Sequence, residues 1–260
     1  MAEQALLIER DGAIATVIVN RPERRNAINL ELWRRIGAAM RELSADDDLR
    51  CVVLRGAGDR AFVAGADIAE FENERKGRAK GKLYGTAVTE GLHAIGQCRH
   101  PTIAMIKGVC IGGGLEIASR CDLRICGVSS RFGIPSNKLG LVVSHAELEA
   151  LVAVVGRAFA HEILLCGEIF DAEHACRMGL VHRMVADDAV EATALDIARR
   201  IAARAPLTNR WHKQAILRLA DPAPLSEAER DTAYDCYDSE DFREGYRAFL
   251  EKRAAVFKAR

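Results

Sequence analysis

The chain reads as an α/β fold, a layered region with parallel pairing followed by a helical C-terminal region. Three observations predict it. Up to Ile125, short apolar runs alternate with helical patterns, as in layered α/β domains. Twice, in Ala61-Phe62-Val63-Ala64-Gly65-Ala66-Asp67-Ile68 and in Gly108-Val109-Cys110-Ile111-Gly112-Gly113-Gly114-Leu115-Glu116, glycine stands where a strand-like run gives way to a helical pattern. After Ser144 the pattern is almost wholly helical, apart from Leu180 to Val185.

The elements follow in order. Leu6-Leu7-Ile8 and Ile14-Ala15-Thr16-Val17-Ile18-Val19 read as strands flanking an Asp11-Gly12 turn, a hairpin signal. From Asn29 onward, Trp33, Ile36, Met40 and Leu43 recur at helical spacing. Cys51-Val52-Val53-Leu54 is a short buried strand, ended by Gly56-Ala57-Gly58. Residues 72 to 82 form a charged, glycine-punctuated run, read as a mobile surface segment near a site entrance. Ser144-x-x-Glu147 and Ser226-x-x-Glu229 are capping boxes, and Pro206, Pro222 and Pro224 divide the C-terminal part into separate helices.

Composition narrows the function. A chain of 260 residues forms one large domain, or a domain with an appendage, and buries a sizeable core. Apolar residues are 49% and aromatics 5%, so that core is packed mainly with Ala, Val, Ile and Leu. Lys plus Arg equals Asp plus Glu at 37 each, which argues against the basic face that nucleic-acid binding needs. No apolar run approaches the roughly 18 residues of a membrane span. Met1-Ala2-Glu3-Gln4 carries neither a signal-peptide core nor a transit pattern, so a soluble cytoplasmic protein is expected. The eight cysteines include no Cys-x-x-Cys pair and fall mostly in apolar runs, the pattern of a reducing compartment. His174-x-Cys176 lacks a second ligand pair at suitable spacing, so no metal site is expected.

The two glycine segments suggest chemistry. Glycine tolerates positive φ and has no Cβ, so such turns present bare backbone N–H groups to a ligand. Two such donors converging from separate turns make an oxyanion hole, and Glu116 beside the second is a candidate acid or base. Together and in this order the segments resemble the enoyl-CoA hydratase/isomerase (crotonase) superfamily. The resemblance extends through Asn20-Arg21-Pro22-Glu23-Arg24-Arg25-Asn26-Ala27, His100-Pro101-Thr102-Ile103-Ala104, Cys121-Asp122-Leu123, Phe132-Gly133-Ile134-Pro135 and Gly179-Leu180-Val181. Its C-terminal trace is Phe249-Leu250-Glu251-Lys252-Arg253.

The resemblance implies a crotonase-like ββα-repeat core over residues 1–200 and a C-terminal helical oligomerisation region over 201–260. It implies a homotrimer or a dimer of trimers. The substrate would be an acyl-CoA thioester, with no membrane or nucleic-acid partner and no cofactor beyond the coenzyme A that the substrate carries. Ala66 and Gly113 match the positions whose N–H groups hold the thioester oxygen, and Glu116 matches the first of two hydratase glutamates. Arg25, Ala27, Ala64, Asp67, Ile68 and Ser136 are expected along the substrate, with Arg24, Lys252 and Arg253 as further candidates for the CoA phosphates.

The chain also departs from the family pattern. The second hydratase glutamate is replaced by Ser136, and the following Pro-Gly-x-Gly-Gly stretch becomes Val143-Ser144-His145-Ala146-Glu147. A hydroxyl is too weak an acid to replace a tuned carboxyl, although it can orient water. Glu147 is expected to close a helix end, and His145, one residue inside that end, is a secondary candidate to face the acyl pocket. A dehalogenating branch has its catalytic histidine at the position of His93. Its aspartate nucleophile falls on Ser144, so His93 reads as a partly buried structural residue. Enolate chemistry on an acyl-CoA is the leading reading. A hydrolase, decarboxylase or ring-processing enzyme using Glu116 with His145 or Ser136 is the alternative, beside a catalytically silent acyl-CoA-binding homologue and, more distantly, an RNA-binding protein.

Overall fold

The computed structural model describes residues 5–260. Met1–Gln4, on which the expectation about a leader segment rests, lie outside the described residues. The chain opens with the antiparallel hairpin β1 (Leu6–Asp11) and β2 (Ile14–Val19). Asp11 pairs with Ile14, so the loop is Gly12-Ala13, one residue later than the expected turn. Helix α1 (Leu30–Ala45) follows, its first turn capped by the Asn29 side chain accepting from Leu32 N at 2.9 Å. It buries Leu32, Trp33, Ile36, Met40 and Leu43, the stripe read from the sequence.

Three strand–strand–helix units come next. The first is β3 (Cys51–Gly56), β4 (Ala61–Val63) and the helices α2 (Phe71–Glu74) and α3 (Gly77–Gly96). The second is β5 (Thr102–Ile106), β6 (Val109–Ile111) and α4 (Gly113–Arg120), and the third β7 (Leu123–Gly127), β8 (Arg131–Gly133) and α5 (His145–His161). In each unit the first strand enters a six-stranded sheet and the second a four-stranded one. The remainder is β9 (Phe170–Asp171), α6 (Ala172–Arg177), β10 (Arg183–Val185), α7 (Val190–Ala202), α8 (Pro206–Arg218), α9 (Glu227–Asp231) and α10 (Glu240–Leu250). The large sheet runs β1-β2-β3-β5-β7-β10 and the small one β4-β6-β8-β9. Beyond the opening hairpin the large sheet is parallel throughout.

The parallel strands are apolar on both faces, as buried parallel sheets require. Val52, Leu54, Ala104 and Ile106 pack into the main core with α1 and α3. Their neighbours Cys51, Val53, Ile103, Met105 and Ile125 form a second layer against Val190, Ala194, Ile197 and Ala198 of α7. Five of the cysteines are buried, and three of these, Cys51, Cys110 and Cys126, stand in the parallel strands. Burial pushes the Cys51, Cys121 and Cys126 thiols up to about 12, so they stay protonated and inert.

Two segments differ in secondary structure from the sequence reading. The run 72–82 lies largely exposed beside the cleft, as read, but is helical: it belongs to α2 and the start of α3, interrupted at Arg75-Lys76. Tyr84, Ala87 and Val88 farther along α3 bury against the core, and that packing carries the charged first turns as helix. After Ser144 the chain also supplies β9, two residues long and too short to leave a periodic signal. The capping boxes at Ser144 and Ser226 both form. Helix α8, whose first residue is Pro206, is fastened to the α/β layers by Lys213, which donates to His100 O at 3.0 Å and Asp122 Oδ2 at 2.8 Å. No helix of the described residues is long and apolar enough to cross a membrane.

Candidate active site

The unit repeat places the ends of β4 and β6 side by side in the small sheet, pairing Ala61 with Val109 and Val63 with Cys110. Each strand then breaks into a glycine turn, with Gly65 at φ +105° and Gly112 at φ +51°. The turns touch: a Cβ on Gly112 would stand 3.7 Å from the Gly65 Cα. Ala66 forms a parallel bridge with Ile28, in which Gly65 O accepts from Ile28 N and Asp67 N donates to Ile28 O. That pattern turns the intervening Ala66 N–H away from its bridge partner. Gly113 is the first residue of α4, where a helix has no internal acceptor for its N–H. Neither N–H donates to an acceptor among the described residues. Both residues line one cleft of about 790 Å³, mouth included.

The segment around Asn26 holds this arrangement. Arg25 and Asn26 adopt left-handed backbone at φ 50° and 58°. The fully buried Asn26 donates through Nδ2 to Ala57 O (3.0 Å) and Ala61 O (2.8 Å), while its Oδ1 accepts from Arg21 N. Arg21 donates to Ala27 O at 2.7 Å and pairs with Asp67 at 2.8 Å. Arg25 O accepts from Ala64 N at 3.1 Å. This clamp fastens the first turn to the chain on its outer side. Asp67 is therefore corrected: it caps a 3-10 turn through Ala69 N and binds Arg21, and it does not line the cleft. The Arg21 cation helps to hold its carboxyl below the ordinary carboxylate value, against the opposing pull of burial.

Ala64, Ala66, Ile68, Gly113, Glu116 and Ser136 all line the cleft. Arg25 and Ala27 lie outside it, Arg25 exposed and next to the Ala64 edge. Among the other phosphate candidates, Arg253 is engaged by Glu244 and Glu251, both at 2.6 Å. His145 is exposed and is not among the residues that line the cleft. His93 is exposed on α3 rather than partly buried. His174 Nε2 lies 3.0 Å from Glu162, and no group of three or more His, Cys, Asp or Glu among the described residues is placed to hold a metal.

Glu116 sits in the first turn of α4 with 7% exposure, and its Oε2 lies 3.9 Å from where a Gly113 Cβ would be. Its carboxyl accepts no hydrogen bond from the described residues. Burial pushes its pKa up to about 8, with the Glu147 carboxylate adding to the rise and Arg75 opposing it. A carboxyl so placed holds its proton at neutral pH, and at mildly alkaline pH it takes one up or gives one away with little bias.

Among the cleft residues that sequence reasoning missed, four carry polar or aromatic groups. Trp33 comes from the buried stripe of α1, and its Cζ2 would stand 2.9 Å from a Cβ on Gly113. Phe71 opens α2 and Arg75 comes from the charged run, with the Arg75 guanidinium 4.3 Å from the Phe71 ring centroid and 3.7 Å from that of Tyr84. Glu147 is the fourth: besides closing its helix end it lines the cleft. No local pattern marks these side chains, because the cleft forms where α1, α2, α3, β6, α4 and α5 meet.

The enoyl-CoA hydratase/isomerase family model matches residues 9–260. A short-chain-enoyl-CoA hydratase from Clostridium acetobutylicum is 34% identical over 252 residues, covering 95% of each chain. A crotonyl-CoA hydratase from Syntrophomonas wolfei is 31% identical over 99% of each chain. A solved enoyl-CoA hydratase/carnithine racemase from Magnetospirillum magneticum superimposes with a TM-score of 0.97 at 47% identity, covering 100% of this chain and 97% of that one. The repeat fold, the paired glycine turns and these matches agree: the chain belongs to the enoyl-CoA hydratase/isomerase family, enzymes of acyl-CoA metabolism.

Proposed function

We propose that the protein hydrates a 2-enoyl-CoA thioester through an enolate held in the cleft. The observation that carries this is the meeting of two unpaired backbone donors, Ala66 N–H and Gly113 N–H, with the buried carboxyl of Glu116 in one cavity. The thioester oxygen accepts from both donors. Conjugate attack at Cβ then moves negative charge onto that oxygen, where fixed donors in a dry site stabilise it. One such donor contributes about 3–4 kcal/mol, or roughly 10²–10³ in rate. Glu116 acts as the acid/base at the carbon next to the thioester. Ser136 lies on the same wall system, where its hydroxyl orients water.

Coenzyme A arrives as part of the substrate and the reaction needs no resident cofactor. Arg25 and Ala27 flank the outer course of the CoA chain, beside the Ala64 edge. The names of the relatives support an acyl-CoA enzyme, and cysteines that fall mostly in apolar runs with no Cys-x-x-Cys pair suit a cytoplasmic one. A trimer or a dimer of trimers is the assembly. It is supported by the apolar stripe that α10 leaves uncovered, Phe242, Tyr246, Phe249 and Leu250 at spacings of four, seven and eight.

Glu116→Gln tests the reading. It keeps shape and polarity but removes the carboxyl that gives and takes the proton, so turnover should fall at least about 100-fold while CoA binding stays nearly intact. Acyl-CoA thioesters, followed by mass spectrometry for water gain, CoA release or carbon dioxide loss, distinguish hydration from the alternatives. Unchanged turnover in Glu116→Gln would assign Glu116 to helix-end stabilisation. Tight CoA binding with no turnover of any thioester would make the protein a silent binder.

A further inference from the structure

We propose that Glu147, at the start of α5, is the second proton-transferring carboxylate of this site, occupying in space the role that Ser136 leaves empty. This rests on the hydratase reading above. Three observations carry it. Glu147 lines the same cleft as Glu116, although it lies 31 residues farther along the chain on another helix. Only one of its oxygens is used by the protein: Oε2 accepts from Ser144 N at 2.6 Å, and Oε1 has no partner among the described residues. No cation neutralises it among the described residues, because the nearby Arg120 pairs with Glu149 instead, at 3.0 Å.

The capping box gives this side chain a fixed aim. Its carboxylate is fastened at one oxygen to the backbone ahead of the helix, which freezes the rotamer. The other oxygen is left to meet a water in the cleft. Glu116 has the opposite character: it is buried and holds its proton at neutral pH. The pair thus divides the work as neighbouring carboxyls in unlike surroundings do.

The step balances as follows. Glu147 takes a proton from water as the water oxygen bonds to Cβ, and the Cα–Cβ π electrons move to form the enolate in the oxyanion hole. Glu116 gives its proton to Cα, restoring the thioester carbonyl. One water is consumed, one C–O and one C–H bond form, and the proton on Glu147 returns to Glu116 through solvent.

Glu147→Gln tests the inference, because glutamine at this position of a capping box also accepts from the N-cap N–H and so preserves the helix start. Crotonyl-CoA hydration is measured beside exchange of the Cα protons of saturated butanoyl-CoA in D2O above pH 8, a partial reaction that needs only Glu116. In Glu147→Gln, hydration should fall at least about 100-fold, with Cα exchange, melting temperature and CoA affinity close to wild type. Glu116→Gln should lose both reactions. Ser144→Ala, which removes the other half of the cap, should lower the melting temperature and leave hydration within about twofold.

A Glu147→Gln enzyme that hydrates as fast as an active wild type overturns the inference and leaves Glu147 a cap. A folded Glu147→Gln that loses exchange as well overturns the division of labour. A wild type that neither hydrates nor exchanges overturns the hydratase reading on which the inference stands, and the inference with it.

Discussion

At the scale of single residues, the charge state of Glu116 is set by burial first, by Glu147 second and by Arg75 in the opposite direction. The sign fixes a pH dependence. With its pKa raised to about 8, Glu116 carries its proton through neutrality and gives it up as pH rises through that value. As the acid in hydration it should support a rate that is flat near pH 7 and declines above about 8. Arg75 stabilises the ionised form, so Arg75→Met should move that decline to higher pH, as measured by kcat/KM against pH. A decline that stays at the wild-type pH would show that the Arg75 charge does not reach Glu116. The candidate catalytic residues were legible in the sequence because each belongs to a local motif: a glycine turn and the helix it opens. Glu147 was legible only as a cap, since its approach to Glu116 spans 31 residues and two helices.

At the scale of elements, the oxyanion hole depends on how closely α4 packs on β4. A Cβ on Gly114 would lie 2.3 Å from Val63 O, and Val63 precedes Ala64 and Gly65 directly. The neighbouring Gly113 is thus held against the first turn by the absence of a side chain at Gly114. Gly114→Ala should destabilise the protein by about 1–3 kcal/mol, as overpacked cores do, and lower turnover by spreading the two donors. Denaturant unfolding and kcat measured on one preparation check this, and a variant normal in both would disprove the close-packing account. Strands β2, β3 and β5 were legible because their apolar runs suit burial on both faces. The charged start of α3 was not, because its helicity depends on Tyr84, Ala87 and Val88 packing on the core.

At the scale of the whole molecule, α10 exposes Phe242 at 43%, Tyr246 at 62%, Phe249 at 82% and Leu250 at 61%, one contiguous stripe. Isolated exposed hydrophobics are ordinary, but a stripe on a helix of this pattern supports the proposed contact with another copy. Light scattering should report a trimer or a multiple of it. The double variant Tyr246→Asp and Phe249→Asp should shift the mass toward the monomer while the circular dichroism of the α/β layers persists. A wild-type monomer at micromolar concentration would reject the assembly.

The sequence by itself determined the family, the alternation of strands and helices, both glycine turns, the placement of Glu116 at a helix start and both capping boxes. These features are local, written in spacings of two to four residues or in the reach of one turn. Tertiary structure alone decided which side chains share the cleft. It turned Asp67 onto Arg21, left His145 in solvent, set Arg75 between two rings, and brought Glu147 to the carboxyl of Glu116. Such meetings depend on how the repeated units stack, and stacking is fixed by the summed packing of the core rather than by any one segment.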